Sequence, residues 1–180
     1  MRFLASFLSL GLALAALPTH PLAAQRPTPE AVAEAAASPT SLVELLYNMA
    51  SFPPGPEPDW DMFRDVFLDN AVIVFAPSPS QPMRPLSVDG FIADWEAFWR
   101  DSELEDKGFY ESIGEMSVTE FGGLAHAWVV FLPQVGPDPP ARQIRGLDSI
   151  ELAFDGTRWW IAAITTDWEI PGRTIPDIGG

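Results

Sequence analysis

The chain has 180 residues, enough for one domain with a sizeable core, and 47% of them are hydrophobic while 19% are charged. This composition excludes an intrinsically disordered protein, and a formal net charge of −15 argues against nucleic-acid binding because phosphates would be repelled. Cysteine is absent, which excludes disulfide bonds, a thiolate nucleophile and a cysteine-ligated metal.

Residues 1–24 are predicted to be a signal peptide. Arg2 precedes the apolar run 3–17, which a proline and later two alanines follow. The run is about 15 residues long, shorter than the roughly 20 that cross a bilayer, so cleavage is favoured over a retained membrane anchor. Cleavage leaves nine basic residues against 25 acidic ones, a formal charge of −16. We therefore expect an exported, periplasmic or secreted protein with no stable membrane insertion.

The next segment leads into the first long helix. Residues 25–40 are predicted to be either a linker or a short helix that begins at Thr28-Pro29. A longer helix is predicted from Ser41, because Ser41 and Glu44 have the spacing of a capping box and apolar residues follow at helical intervals.

Two further helices and a short strand are predicted before residue 100. Asp59 caps a short helix that extends to Asn70, and a strand over 72–75 follows it. The proline-rich segment 77–85 is predicted to be a loop, since proline cannot donate to a strand ladder. Ser87 caps the third helix, whose apolar residues form one continuous stripe: Val88, Phe91, Ile92, Trp95, Phe98 and Trp99.

After the third helix the hydrophobic period changes from helical to strand-like. Four strands are predicted, separated by two glycine turns and a longer loop: 109–119, 124–135, 143–154 and 159–168. Antiparallel neighbours with helices on one face make an α+β domain. We therefore expect a curved antiparallel sheet wrapped around the N-terminal helices, with a cup between them.

This order of elements resembles the NTF2-like superfamily, also called the SnoaL-like or cystatin-like α+β cone. The local matches are the segment 59–75, the strand start 123–128 and the closing hairpin 145–168. The resemblance covers residues 41–170, and 171–180 are expected to be a flexible tail. It implies a homodimer paired through the outer face of the sheet. It implies no single chemistry, because the superfamily includes ketosteroid isomerases, dehydratases, polyketide cyclases, epoxide hydrolases and members without a known reaction.

Two residues are candidate catalytic groups. His126, the only histidine after the predicted cleavage, shares a strand face with Trp128 and would be a general base if that face lines the cup. Its alternative is a packed strand histidine. Asp148 lies on the apolar face of its strand, where burial would raise its pKa. Its alternative is a strand-end carboxylate that reaches water or caps Arg145. His126 and Asp148 are hypothesised to meet across neighbouring strands.

Three aromatic residues are candidate pocket residues. Tyr47, on the first long helix, would donate its hydroxyl into the cup, and its alternative is a partly buried helix tyrosine. Trp128 and Trp168 would form the walls of the cup, and their alternative is ordinary core packing. No cofactor is predicted, and a single histidine without HxH or HExxH spacing gives no metal site. The carboxylate base and donor pair of a ketosteroid isomerase are not assigned to residues.

The sequence leaves two functions open. The first is an apolar pocket that binds a small apolar molecule, extending to a cofactor-free lyase or isomerase reaction. The alternative is a non-catalytic dimeric or accessory module with a filled cup and an exposed apolar sheet face. A pocket with two or more converging polar groups would favour the first function.

Overall fold

The computed structural model describes residues 28–55, 57–138 and 140–179. The predicted signal peptide, residues 1–24, lies outside the described residues. The described part of the chain forms eleven elements: α1 (Pro29–Ala35), α2 (Pro39–Met49), α3 (Trp60–Arg64), β1 (Phe67–Phe75), β2 (Arg84–Ser87), α4 (Val88–Asp101), α5 (Leu104–Lys107), β3 (Phe109–Phe121), β4 (Leu124–Val135), β5 (Gly146–Phe154) and β6 (Trp159–Trp168). None of the helices in these residues has the length and apolar character needed to cross a membrane.

The two N-terminal helices begin at capping residues followed by proline. Thr28 caps α1, so the structure has the short helix of the two alternatives. Ser38 caps α2 by accepting a hydrogen bond from the Ser41 N–H at 3.2 Å. The predicted start of this helix at Ser41 is wrong by two residues, because Pro39 fits the first helical position, where its missing N–H costs no hydrogen bond.

The predicted helix that extends to Asn70 is too long. Asp59 caps α3 as predicted, but the helix ends at Arg64 and β1 begins at Phe67. Phe67 pairs with Ile161 of β6, so strand pairing overrides the helical spacing of the aromatic residues.

The proline-rich segment is not entirely a loop. Its end contributes to β2, which pairs with β1 in antiparallel orientation and places Pro85 opposite Val74. Proline is tolerated there because β2 is an edge strand of the sheet.

The six strands form one curved, unclosed sheet in the order β2-β1-β6-β5-β4-β3. Strands β3 to β6 are the predicted antiparallel meander, and β4 and β6 have the predicted bounds. β1 joins β6 in parallel, which the sequence prediction did not include. Register shifts interrupt three of the ladders, and such bulges increase the bend and twist of a sheet.

The main core lies between the helices and the concave face of the sheet. Leu42 and Val43 of α2 are fully buried, and so are Val129 of β4, Ile150 of β5 and Ile161 of β6. Each fully buried aliphatic side chain contributes about 1.5–3 kcal/mol to folding. A smaller cluster lies beyond the end of α4 and comprises Phe52, Trp99, Leu104 and Phe109. The two clusters fix α2 and α4 over the sheet.

The C-terminal segment returns to the sheet. Arg173 donates to the Asp167 carboxylate at 2.7 Å, and the Ile175 N–H donates to Glu169 at 3.2 Å. The Ser117 hydroxyl of β3 donates to the Gly179 carbonyl at 3.1 Å. The structure thus places residues 171–179 against the sheet, and the flexibility of this tail in solution stays a prediction.

Candidate functional site

A cavity of about 320 Å³ lies between the helices and the concave face of the sheet. This main cavity has walls from α2, α3, α4, β1 and β3 to β6, and nine of its 17 lining residues are aromatic. Its volume is at the lower end of the roughly 300–1,000 Å³ of small-molecule pockets. The main cavity is therefore large enough for a compact, mainly apolar molecule.

A hydrogen-bonded group lies in the wall of the main cavity. The Tyr47 hydroxyl donates to Asp148 Oδ2 at 2.7 Å, and the Thr166 hydroxyl donates to Asp148 Oδ1 at 2.6 Å. α2 directs Tyr47 onto the sheet, while Thr166 is the direct partner of Asp148 in the β5–β6 ladder. Both oxygens of a buried carboxylate are thus held by neutral donors.

These contacts set the protonation of the group. Burial raises the pKa of Asp148 to about 6, and the hydrogen bonds from Thr166 and Tyr47 act in the opposite direction. Burial, followed by the charge of Asp148, raises the pKa of Tyr47 far above its usual value of 10. Tyr47 therefore remains a hydrogen-bond donor at any physiological pH, and Asp148 is mainly ionised at pH 7.

Glu111 of β3 is a second carboxyl group in the same wall. Its backbone N–H donates to the Ser51 hydroxyl at 2.8 Å, which ties β3 to the end of α2. No described residue donates a hydrogen bond to its carboxylate. Burial, followed by the charge of Asp148, raises the pKa of Glu111 to about 8. At pH 7 Glu111 is mainly protonated, and the main cavity carries about one negative charge.

Glu111 also borders a smaller space. This side chamber has a volume of about 30 Å³ and lies among residues of α3, α4 and the end of α2. Trp60 lines it as well, and the Trp60 Nε1–H is buried without a hydrogen-bond partner among the described residues. The chamber has room for about one water molecule, which would satisfy this donor and contact Glu111.

Phe131 shapes the floor of the main cavity. Its ring makes an edge contact with Trp168, at a centroid distance of 5.0 Å, and lies near Tyr47. The ring occupies the space directly over Gly146, the residue opposite it in the β4–β5 ladder, where any Cβ would overlap its atoms. Glycine at this position is therefore required by the close approach of Phe131.

A groove between β1, β2 and α4, called here the entrance groove, adjoins the main cavity. This entrance groove shares Phe75, Phe91, Trp95 and Phe98 with the main cavity, and Phe98 is 49% exposed. An ion pair between Arg84 of β2 and Asp94 of α4 completes the groove. A ligand that enters by this groove would pass aromatic rings before it reaches the carboxyl groups.

The architecture matches solved structures, although no family model and no curated protein matches the sequence. An NTF2-like protein of unknown function from Pseudomonas putida KT2440 is 12% identical, with 78% of this chain and 93% of that chain covered and a TM-score of 0.57. This chain has the NTF2-like fold. An NTF2-like protein of unknown function from Prochlorococcus gives 12% identity, 74% and 94% coverage and a TM-score of 0.51.

A third similar structure comes from a protein with a named role. The β subunit of benzoate 1,2-dioxygenase from Burkholderia mallei is 12% identical, with 72% of this chain and 85% of that chain covered and a TM-score of 0.51. At such identity the likeness shows the NTF2-like fold alone. The predicted fold is confirmed, and the function has to be argued from the site.

Three of the predicted site residues lie on the main cavity of this NTF2-like domain. Tyr47, Asp148 and Trp168 all line it, and Tyr47 and Asp148 are directly hydrogen-bonded. Arg145 contacts Glu169 at 3.5 Å, so the alternative in which Asp148 caps Arg145 is not found. The catalytic role of Asp148 stays a prediction.

Two predicted site residues lie on the opposite face of the sheet. His126 Nε2 is 3.0 Å from the Ser149 hydroxyl, and Trp128 is 40% exposed. Asp148 is opposite Val129 in the ladder, so the predicted contact between His126 and Asp148 is wrong. The alternation of side chains along β4 correctly predicted that His126 and Trp128 share one face. The odd-numbered residues of β4 face the core, so His126 and Trp128 are not in the cavity wall.

Glu111 and Thr166 line the main cavity but were not among the site residues predicted from the sequence, although the sequence pattern around each could have identified them. Glu111 lies between two apolar residues on one face of its strand, and Thr166 lies likewise between Ile164 and Trp168. The same pattern selected Asp148. Trp95, one of the apolar stripe residues of α4, also forms a wall of the main cavity.

Proposed function

We propose that this protein binds a small, mainly apolar molecule in the main cavity and that Asp148 and Glu111 exchange protons with it. The observation that carries the proposal is the convergence of Tyr47, Glu111 and Asp148 in a cavity that is otherwise aromatic and aliphatic. Deep apolar pockets with a few convergent polar groups and perturbed pKa values are typical of binding and active sites.

The two carboxyl groups are suited to different parts of a proton transfer. General acid–base catalysis is most efficient when the pKa of the group is close to the working pH. Asp148, with a pKa of about 6, would accept a proton from a carbon next to a carbonyl group. Glu111, with a pKa of about 8, would donate a proton or a hydrogen bond to the carbonyl oxygen. This pairing supports an isomerase or lyase reaction that needs no cofactor.

Binding is tested by thermal shift with a panel of apolar carbonyl compounds and small acids. A compound present at about 100 times its Kd would stabilise the protein by about 2.7 kcal/mol, a rise of roughly 5–11 °C for a chain of this size. Trp168→Ala should weaken binding at least about fivefold, since Trp168 lines the main cavity. Trp128→Ala is the matched control on the outer face and should leave the Kd unchanged. Equal losses in both variants would contradict the proposal.

Proton transfer is tested without knowledge of the natural substrate. The compounds that bind are incubated in D₂O, and exchange of the hydrogens next to the carbonyl group is followed by NMR. The wild-type protein should accelerate exchange, and Asp148→Asn should reduce the rate at least about tenfold. His126→Gln should leave it unchanged, because His126 faces away from the cavity. Bound compounds that exchange no faster than in buffer would limit the function to binding.

A second candidate is a homodimeric interaction module. Large apolar residues are exposed near the β3–β4 turn, and Phe121, at 84%, is the most exposed of them; the others are Leu124 and Phe154. A second copy of the chain would cover these residues. Light scattering after size exclusion should then report a dimer that Phe121→Ser with Leu124→Ser converts to a monomer. The interaction module was expected to have no cavity between the helices and the sheet, and the presence of the main cavity argues against that part of the hypothesis.

A further inference from the structure

We propose that the main cavity selects lipophilic organic cations, with the charged nitrogen against the Glu111 carboxylate and the carbon groups against the aromatic walls. The inference rests on the proposed binding function and adds the chemical class of the ligand. Its basis is the charge and the ring content of the cavity.

The ionisable groups that line the main cavity are acidic in the part of the chain that the structure describes. Among the described residues that line it, Glu111, Asp148 and Tyr47 titrate, and none is an arginine, lysine or histidine. A buried carboxylate without a cationic partner is costly, because burial removes its hydration. A ligand that brings one positive charge supplies the missing partner, whereas an anionic ligand increases the repulsion.

Glu111 is the carboxyl group with free capacity. Asp148 already accepts hydrogen bonds on both oxygens, from Tyr47 and from Thr166. The Glu111 carboxylate accepts none from the described residues, and it faces the main cavity. An ammonium group placed there, with or without an N–H, would be attracted by the carboxylate charge, and this attraction is stronger in a site that holds little water than in bulk water.

The walls suit a cation as well as a hydrocarbon. The faces of tryptophan, tyrosine and phenylalanine rings attract ammonium groups, and the attraction is stronger when water is excluded. The main cavity contains nine such rings, and four of them continue into the entrance groove. An alkyl ammonium ion therefore contacts rings along the whole path to Glu111.

The charge outside the cavity also favours a cation. The basic side chain at the entrance groove is Arg84 of β2, and it is paired with Asp94 of α4. The whole chain carries a formal charge of −15, which raises the local concentration of cations and repels anions.

The experiment compares three probes that share a benzyl group by calorimetry: benzyltrimethylammonium, neopentylbenzene, which is its uncharged analogue of the same shape, and the anion phenylacetate. At pH 8 the cation should bind at least about tenfold more tightly than the neutral analogue, and phenylacetate should bind most weakly. Glu111→Gln should reduce affinity for the cation at least about tenfold and leave neopentylbenzene within about twofold. Glu151→Gln, on the outer face, is the matched control and should change neither affinity.

The pH dependence gives an independent readout. The charge of benzyltrimethylammonium does not depend on pH, so any change in affinity reports the protein. Its affinity should rise between pH 6 and pH 8 as Glu111 and Asp148 ionise, and proton release should accompany binding at pH 7. Tyr47 also faces the main cavity, and its raised pKa keeps it neutral in this range. The other charged side chains along the path are Arg84 and Asp94, which form an ion pair with each other.

The outcomes separate the two proposals. Neopentylbenzene binding as tightly as the cation at pH 8, or a cation affinity that Glu111→Gln leaves unchanged, would overturn cation selectivity while the binding function stands. Failure of all three probes and of the carbonyl panel would overturn both proposals. Tighter binding of phenylacetate would assign the cavity to acids and refute the charge argument.

Discussion

Replacing Glu111 by glutamine should stabilise the protein at alkaline pH and change little at acidic pH. The pKa of Glu111 is raised from 4.5 to about 8 in the folded state, since burial and Asp148 disfavour its charge. Between these values the unfolded chain releases a proton that the folded chain retains, so the free energy of unfolding falls as pH rises. Below pH 4.5 the penalty is absent, and above pH 8 it is complete.

The size of the effect follows from the two pKa values. The rise of the Glu111 pKa from 4.5 to about 8 corresponds to a loss of roughly 5 kcal/mol in the free energy of unfolding, at about 1.4 kcal/mol for each pH unit. This value is an upper limit, because Glu111 borders a cavity and because part of the shift depends on the charge of Asp148. We expect Glu111→Gln to gain about 2–4 kcal/mol at pH 9, or roughly 4–16 °C in Tm. At pH 4.5 the glutamic acid of the wild type is protonated in the folded protein, and glutamine has a similar shape and the same absence of charge. The gain in the free energy of unfolding should therefore be under about 0.5 kcal/mol.

The assay is denaturant unfolding at pH 4.5, 7 and 9, followed by tryptophan fluorescence and circular dichroism. The control is Glu151→Gln, which removes an equal charge from the outer face, where the side chain is largely exposed. It should differ from the wild type by less than about 0.5 kcal/mol throughout. A gain for Glu111→Gln that is the same at pH 4.5 and pH 9 would refute the burial of an unpaired carboxyl group in the cavity wall.

Two other substitutions and one expression experiment have specific expected results. Gly146→Ala should destabilise the fold by about 1–3 kcal/mol in chemical denaturation, because its Cβ overlaps a ring of β4, whereas Gly123→Ala has ordinary contacts and should cost much less. Thr166→Val removes one donor to Asp148 and should raise the pKa of that carboxyl above about 6, which ¹³C NMR titration would detect; an unchanged pKa would contradict the role of this hydrogen bond. Expression of the full chain in a bacterium with an export pathway should yield a mature mass that lacks residues 1–24, and a full-length mass in the membrane fraction would refute cleavage.

The sequence predicted the meander well because its signals are local. The alternation of apolar residues and the glycine turns fixed the bounds of β4 and β6. The parallel pairing of β1 with β6 depends on a contact between distant segments, and the spacing of Phe63 and Phe67 favoured a helix that this pairing interrupts. Local periodicity has no information about such long-range partners.

The candidate site was only half predictable for a similar reason. Alternation divides the residues of a strand between two faces, but it does not say which face the helices cover. Val130 is almost fully buried although it shares the outer face with His126, so apolar character on that face was misleading. Asp148 was identified because it is a carboxylate among apolar neighbours, and applying the same criterion to β3 would have identified Glu111.

The close fit of Phe131 over Gly146 predicts that these two positions change together in evolution. A side chain at 146 becomes acceptable only if residue 131 is smaller, so each change alone should be harmful and the two together should be tolerated. Because Phe131 also forms the cavity floor, such a paired change would enlarge or reshape the binding space. Relatives of this protein that carry alanine or a larger residue at position 146 should therefore show sign epistasis with position 131 and a different ligand range.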